Sequence, residues 1–405
     1  MCPNGNQHSG NTGVTESFDD CTSLHSIEDA SGQTTASSTN AQARAEERES
    51  SNQPISPEML AKLTEHANVL AWQRPNFDVL RPEHNDAYNP IVRSINHHLR
   101  LSDWRRRLVL PNLSAYGNET VAIFSDYGGE TKGAKFATYS TLICGWNLAH
   151  DFLQATKLAR ERHALGNKEI ALKDFGMGQL RRALPDYLTA LDFLPGFLFT
   201  LAVDKRLTSM FAADTPAGRQ LIVDALEKTD LGKRKAKVNE KLLRVTHIAA
   251  FLAGLLTHDG QRIFWMSDND AISATPEMHQ KTVALFQRIL GLYARPGFNY
   301  PLIGGALPFA ERSVDMLDML SATDIVAGSL DKVLSRQDPN AELDQAAMDH
   351  GFGLVLQWLA KDGIGLKKMN VIMRPSAQGN TIETAALEFN LKNPPNELHL
   401  IPLKF

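Results

Sequence analysis

The sequence predicts a mixed α/β fold, because segments with strand patterns and segments with helix patterns alternate along most of the chain. Two apolar runs of alternating pattern, separated by a glycine-containing turn, predict a β-hairpin over 121–145. Longer segments with apolar residues three and four positions apart predict amphipathic helices, and short apolar runs between them predict buried strands. We therefore expect one mixed sheet flanked by helices.

Composition limits the classes of function. The 405-residue chain has a net charge of -4 and a pI near 6.4, so a polyanionic partner would need a local basic patch. Three scattered cysteines, Cys2, Cys21 and Cys144, are too few for a disulfide framework or a zinc cluster. No apolar run approaches the roughly 20 residues of a membrane helix. We expect a cytoplasmic protein that does not associate with a membrane.

The chain is expected to contain three parts. Residues 1–53 are rich in small polar and acidic residues and predict a disordered, low-complexity arm. Residues 54–335 are expected to form the main domain, with a helical insertion at about 206–260. Residues 336–405 are expected to add a helix and strands packed on the same core.

The elements follow from local patterns in order. A first helix is expected to begin near Ser56 and Pro57, before the hairpin. After the hairpin we expect helices over 146–165, 179–194, 218–228, 239–258, 277–293, 311–334 and 353–360. The second of these is expected to kink or break near Pro185. Further strands are expected at 196–204, 263–266, 369–374 and 385–391.

Carboxylates follow two of the predicted strands. Asp126 comes directly after an apolar strand and Glu130 closes the turn, whereas Asp268 and Asp270 end the strand at 263–266. Acids are also common in turns and ahead of helices, so a purely local role is the alternative reading.

Asp324 is the most informative acid. A step of roughly 100° per residue places it on the apolar stripe of its helix, between Leu320 and Ala327, whereas Asp315 and Asp318 are expected to point elsewhere. An ionised carboxylate on such a stripe is unfavourable unless it is paired, hydrogen-bonded or bound to metal. Bonding to backbone groups or to a buried arginine is the structural alternative.

Convergence of these acids would give a metal site. Hard divalent cations are held by carboxylate oxygens, and two such ions about 4 Å apart activate water for phosphodiester cleavage. We therefore predict that the hairpin acid and its partners bind Mg²⁺ or Mn²⁺.

Five motifs, taken in order, carry a family resemblance. The stretches "IFSDYGGETKGAKFATYSTLI", "LKDFGMGQL", "LAVDK", "IFWMSDND" and "MLSATDIVAGSL" resemble landmarks of the bacterial domain-of-unknown-function family 3800, over approximately 120–334. The resemblance implies a ribonuclease-H-like fold, in a superfamily that contains metal-dependent nucleases, transposases and resolvases. It assigns Asp126 as the first-strand acid, Asp324 as the final-helix acid, and Asp268 or Asp270 as the acid after a later strand.

The chain departs from the family pattern at two positions. Tyr127 stands where the family usually has Glu, and Thr323 stands where Ala normally precedes the helical Asp. Glu130 is the candidate replacement for the missing Glu. These departures bear on whether catalysis is intact.

Several basic residues are candidate substrate contacts. Lys173 and Lys205 are predicted to bind phosphate, because lysine is a common phosphate ligand. Asp204 is a possible additional acid, although a turn explains it equally well. The basic runs at 105–107 and 233–237 are typical of solvated surfaces, and a nucleic-acid track would need them beside the carboxylates.

Two functions remain open at this point. The first is a metal-dependent nuclease or phosphodiesterase acting on nucleic acid, with a role in phage defence suggested by the resemblance alone. The alternative is a catalytically silent ribonuclease-H-like module that binds nucleic acid or a protein partner.

Overall fold

The computed structural model describes residues 72–81, 88–229, 231–232, 234–308, 313–336, 351–378 and 381–389. The arm expected at 1–53 and the helix expected near Ser56 lie outside these ranges. All described residues belong to one compact unit of the chain. Within this part of the chain, no helix has the length and apolar character needed to cross a membrane.

The strands confirm the mixed α/β prediction. In the described residues they are β1 (Trp72–Gln73), β2 (Leu110–Pro111), β3 (Thr120–Gly128), β4 (Phe136–Gly145), β5 (Gly196–Asp204), β6 (Arg262–Ser267), β7 (Ile303–Ala306), β8 (Leu366–Pro375) and β9 (Ile382–Ala386). Seven of them form one sheet in the order β7-β6-β3-β4-β5-β8-β9, and β1 pairs with β2 separately.

The helices cover both faces of this sheet. In the described residues they are α1 (Pro90–Trp104), α2 (His150–Arg162), α3 (Gly178–Asp192), α4 (Pro216–Glu227), α5 (Ala236–Leu256), α6 (Pro276–Tyr293), α7 (Val314–Arg336) and α8 (Phe352–Leu359). Threonine N-caps begin α4 and α6, each followed by proline at the first helical position.

The predicted hairpin is confirmed. Strands β3 and β4 pair antiparallel from Val121 opposite Gly145 to Gly128 opposite Thr138. Strand β6 pairs parallel with the other edge of β3, in the register that places Ser125 opposite Ser267. Strand β3 is therefore central, and its carboxyl end lies beside that of β6.

Alternation along the strands divides the core into two layers. Ile123 and Trp265 are buried on one face with α1, α5 and α6. Phe124 and Met266 are buried on the other face with α2, α3, α7 and α8. Successive residues of a strand point to opposite faces, so a residue's position in β3 or β6 decides which layer it faces. Helix α5, inside the segment expected as an insertion, is buried along most of its length.

Of the two alternatives expected near Pro185, a kink or a break, the break is wrong. Helix α3 runs continuously through Pro185, which lies on its exposed side. Proline removes one backbone donor and frees the carbonyl one turn earlier. The helix nevertheless continues to Asp192.

The C-terminal elements extend the same sheet. Strand β8 pairs parallel with β5 over the stretch from Gly196 opposite Leu366 to Val203 opposite Met373. Strand β9 then pairs antiparallel with β8 and begins at Ile382, a few residues before the expected position. The helix expected at 353–360 is confirmed as α8.

The expectation that Asp318 points away from the core is wrong. Its side chain is 1% exposed and forms an ion pair with Arg160 of α2. Arg160 also donates to the carbonyls of Gly166 and Lys168, so its guanidinium is fully used. Helix α7 packs against both the sheet and the outer helices, and it therefore has two buried sides rather than one stripe.

Candidate functional site

Asp126 and Asp268 lie at adjacent strand ends. Asp126 shares a face of β3 with Phe124, the face on which α7 packs, and it is 8% exposed. The backbone N–H of Asp268 donates to the carbonyl of Ser125 at 2.9 Å, which continues the parallel ladder by one residue. Because the register pairs Ser125 with Ser267, the next residues, Asp126 and Asp268, occupy matching positions on the same face.

Asp324 lies on α7, which packs on the face of β3 that carries Asp126. Its Oδ2 accepts a hydrogen bond from the backbone N–H of Leu172 at 2.8 Å. One turn later on α7, a Cβ at Gly328 would overlap the Leu172 side chain. Asp324 and Gly328 together therefore seat the loop around Leu172 against the helix.

A close contact between α7 and the hairpin fixes the distance of Asp324 from the sheet. Thr138 of β4 donates from Oγ1 to the carbonyl of Ala327 at 2.9 Å. A Cβ at Gly128 would lie 2.9 Å from that same carbonyl oxygen. Glycine at the end of β3 is thus required for the helix backbone to pass directly over the strand.

The pKa values of the three aspartates are raised, first by burial and then by neighbouring acids. Burial raises the pKa of Asp126 well above its usual range, and the charges of Asp268 and Asp324 raise it further. Burial also raises the pKa of Asp268. Burial raises the pKa of Asp324 to about 6, against the opposing hydrogen bond from Leu172. Three carboxylates from β3, the loop after β6, and α7 therefore share one negative site.

Sequence reasoning missed a fourth acid, Glu169. Its charge raises the pKa of both Asp268 and Asp324. It also pairs with Lys173 at 3.5 Å, and that pairing raises the lysine's pKa. Lys173 lies close enough to lower the pKa of Asp324 in turn. The only local signal for Glu169 was its position three residues before Leu172, in the loop that carries the second motif.

Lys241 of α5, which sequence reasoning also missed, binds two of the predicted acids, Asp270 and Glu130. Its ammonium pairs with Asp270 and with Glu130, and it lies 4.6 Å from the centre of the Tyr127 ring. Asp270 also accepts from the backbone N–H of Ile272 at 2.8 Å. Of the two alternatives at the end of β6, the structure places Asp268 with Asp126 and Asp324, and gives Asp270 to Lys241.

Glu130 does not join the three aspartates. Its carboxylate is largely exposed and binds Lys241, and that hydrogen bond is the main cause of its lowered pKa. Its role as the replacement for a missing family acid therefore lacks a geometric basis.

The two residues that depart from the family pattern, Tyr127 and Thr323, do not alter the face of the sheet that carries the aspartates. Tyr127 follows Asp126 and so faces the opposite layer, where its hydroxyl lies 2.8 Å from Ser267 Oγ. The Thr323 hydroxyl is buried and donates to the carbonyl of Leu320 at 2.6 Å. Neither side chain displaces an acid from the site.

Two further predicted residues lie apart from the aspartates. Lys205 is exposed beyond the end of β5, and its charge acts on Glu130 and Asp331. Asp204 forms a bidentate pair with Arg206, at 3.0 Å and 2.8 Å, so it is explained by local structure.

In the described residues, the carboxylates of the site do not form a complete set of metal ligands. Across the described ranges, no group of three or more His, Cys, Asp or Glu side chains stands close enough to hold a metal ion as placed. Carboxylate oxygens are the ligands that hard divalent cations take.

Comparison with known proteins adds no assignment. The chain matches no protein-family model, and no curated protein matches it significantly. The resemblance drawn from the five short motifs therefore stays a prediction.

Proposed function

We propose that the chain is a divalent-metal-dependent nuclease or phosphodiesterase of ribonuclease-H-like fold. One observation carries the proposal: Asp126, Asp268 and Asp324 come from distant parts of the chain to the carboxyl end of β3, where burial raises the pKa of all three and the charges of Asp268 and Asp324 raise that of Asp126 further. Retaining such repulsion is unfavourable for stability, and a bound cation is the simplest reason for it.

The donor set fits Mg²⁺ or Mn²⁺. These ions take oxygen ligands, and the residues that would hold them are Asp126, Asp268 and Asp324, with Glu169 beside them. When bound, such ions supply a water of lowered pKa and offset the charge that develops on a phosphodiester.

The other residues have positioning roles. The Leu172 N–H orients one oxygen of Asp324, which leaves the second oxygen for a ligand. Lys173, whose side chain is 74% exposed, is placed to contact a phosphate next to Asp324. Lys241 binds Asp270 and thereby holds the loop that carries Asp268.

The sheet arrangement also supports the ribonuclease-H-like part of the proposal. The antiparallel strands β3, β4 and β5 form a continuous meander, and β6 and β7 are added in parallel at the edge of β3. Helices connect the parallel strands, and α7 crosses the sheet with its acid over the first strand. This is the arrangement we expect of such a domain.

The test is cleavage of labelled single- and double-stranded DNA and RNA with Mn²⁺, Mg²⁺ or chelator. Wild type is compared with Asp324→Asn, and Asp315→Asn serves as the matched control because Asp315 is exposed on the same helix. We expect metal-dependent cleavage by wild type and by the control, and a loss of about 100-fold or more in Asp324→Asn. Equal cleavage by all three proteins, or cleavage that persists in chelator, would overturn the proposal.

A second candidate has one specific observation in its favour. Asp126 and Asp324 each accept a backbone N–H bond, so both carboxylates already have a structural partner. A silent module that binds nucleic acid or a protein would need nothing more from them. Titration calorimetry with Mn²⁺ separates the two, because the silent module predicts no binding that depends on Asp324. Cytoplasmic location and a part in phage defence stay predictions.

A further inference from the structure

Basic residues cluster beside the hairpin turn that follows Asp126. The backbone N–H of Lys205, beyond β5, donates to the carbonyl of Lys135 at 3.0 Å, and the N–H of Lys135 donates to Ser335 Oγ at the end of α7. The start of α5 reaches the same turn, since Lys241 binds Glu130. We call the basic rim the five residues Lys135, Lys205, Arg234, Lys235 and Lys237.

The basic rim carries an excess of positive charge. Four of its lysines are exposed, and Lys205 and Lys237 both lie close enough to Glu130 to lower its pKa, after the larger effect of Lys241. Of the nearby acids, Glu130 binds Lys241 and Asp204 binds Arg206, whereas Asp331 accepts hydrogen bonds from Ser335 and from the backbone N–H of Gly129. In a chain of net charge -4, this concentration of cations is local rather than general.

Arg234 adds a more specific sign of a ligand. Both terminal nitrogens of its guanidinium are shielded from solvent and have no hydrogen-bond partner among the residues that the structure describes. A guanidinium presents five donors in a fork that matches phosphate, and leaving shielded donors unused is unfavourable. The unused donors of Arg234, two residues before α5 begins, are explained by an anion that binds there.

We infer that the basic rim binds the sugar–phosphate backbone of a nucleic-acid strand and leads it to the aspartates. Within the described part of the basic run, Lys237 lies close to Glu130, in the hairpin turn that follows the strand carrying Asp126. The inference rests on the proposed function for its substrate class. Binding through phosphates is independent of base sequence and strongly dependent on salt.

The test measures binding without cleavage. A fluorescent single-stranded oligonucleotide is titrated with the full chain in chelator at several salt concentrations. The double variant Lys205→Glu, Lys237→Glu is compared with Lys157→Glu, Lys361→Glu, which makes the same charge change at exposed sites away from the rim. We expect the rim variant to bind about tenfold or more weakly, with a salt slope smaller by about 1.4, and the control to bind like wild type.

Each outcome has a separate meaning. Equal binding by both double variants would overturn the proposal that the basic rim binds nucleic acid, even if the chain cleaves nucleic acid. Binding that depends on the basic rim, without cleavage in the presence of any metal, would overturn the proposed nuclease function. It would support nucleic-acid binding by the basic rim. Displacement of the oligonucleotide by polyglutamate of equal charge would overturn nucleic acid as the occupant.

Arg234 is tested by replacement with methionine. We expect Arg234→Met to weaken oligonucleotide binding several-fold and to keep the Tm of wild type, because no protein hydrogen bond is lost. Arg244→Met, on α5, is the contrasting variant, since Arg244 bonds Glu240 and the Leu207 carbonyl and its loss should lower the Tm. If Arg234→Met lowers the Tm equally and binds normally, its role is structural and the anion site is overturned.

Discussion

Two aspartates six positions apart on α7 have opposite electrostatic surroundings. Asp318 faces the Arg160 guanidinium in a closed ion pair. Asp324 faces other acids, Glu169 and Asp268, after burial has already raised its pKa. The same chemical change at the two positions should therefore have opposite effects on stability.

Replacement of Asp324 by asparagine should stabilise the metal-free protein at neutral and higher pH. Its pKa rises from 3.8 to about 6 on folding, so the folded wild type loses stability as pH rises through that window. Asparagine keeps an acceptor for the Leu172 N–H and carries no charge. We expect a gain in the free energy of unfolding on the order of 1–3 kcal/mol at about pH 8, shrinking towards zero near pH 4. Chemical denaturation in chelator measures it, and an unchanged difference across this pH range would contradict the assignment.

Replacement of Asp318 by asparagine should destabilise the protein. The change leaves Arg160 charged and buried without its counter-ion, which typically lowers the free energy of unfolding by about 3–5 kcal/mol. The double variant Arg160→Met, Asp318→Leu removes both charges and should recover much of the loss. If the single variant melts like wild type, the pair has no structural role.

Helical periodicity identified Asp324 but misplaced Asp318. A single apolar stripe assumes a helix with one buried side, whereas α7 packs between the sheet and α2. Arg160, the partner that explains Asp318, lies far away in sequence on a helix whose own pattern shows nothing unusual. Only the assembled structure reveals such a pair.

Among the contacts between elements, the one between α7 and β3 determines the position of Asp324 in the site. Gly128 admits the Ala327 carbonyl, and the Thr138 hydroxyl binds it. The helix is therefore held to the hairpin by its backbone, one turn from Asp324. Small changes at this crossing should move the acid.

A methyl group at Gly128 should separate helix from strand. Gly128→Ala places a Cβ against the Ala327 carbonyl and the Thr138 hydroxyl, and we expect a loss of about 1–3 kcal/mol from overpacking. Gly176→Ala is the control, because its added Cβ would meet no atom within 4 Å. Thermal melts compare the two, and equal Tm values would show that the crossing is looser than described.

Local pattern predicted most of the elements, although it missed α1 and β7, and it was insufficient for the site. The alternation of Phe136 to Cys144 and the Thr275–Pro276 helix start are properties of a few consecutive residues, so the strands and helices followed from them. Glu169 and Lys241 enter the site only through contacts with residues far away in sequence. The break expected at Pro185 did not occur: α3 continues through Pro185, which lies on the exposed side of the helix.

For the whole molecule, the C-terminal strands complete the core. Strand β8 pairs along most of β5, and Val371 and Met373 are buried with the sheet's inner residues. Residues 336–405 thus include part of the sheet on which the acids stand.

Truncation after Arg336 should abolish cooperative folding. It removes β8 and leaves the long edge of β5 unpaired, with buried side chains such as Phe199 exposed. A chain that ends after Phe389 keeps every strand described and is the control. We expect a sharp thermal transition only in the control, followed by circular dichroism. A cooperative melt of the shorter chain would show that 72–336 forms a core by itself.

The wide spacing of the three aspartates in the sequence has a consequence for the chain during its synthesis. Asp126 is made early, Asp268 much later, and Asp324 only shortly before the segment that supplies β8. A ribosome-bound chain therefore cannot gather the three acids until Asp324 has emerged. For the nuclease proposed above, this order of synthesis would delay activity until that point.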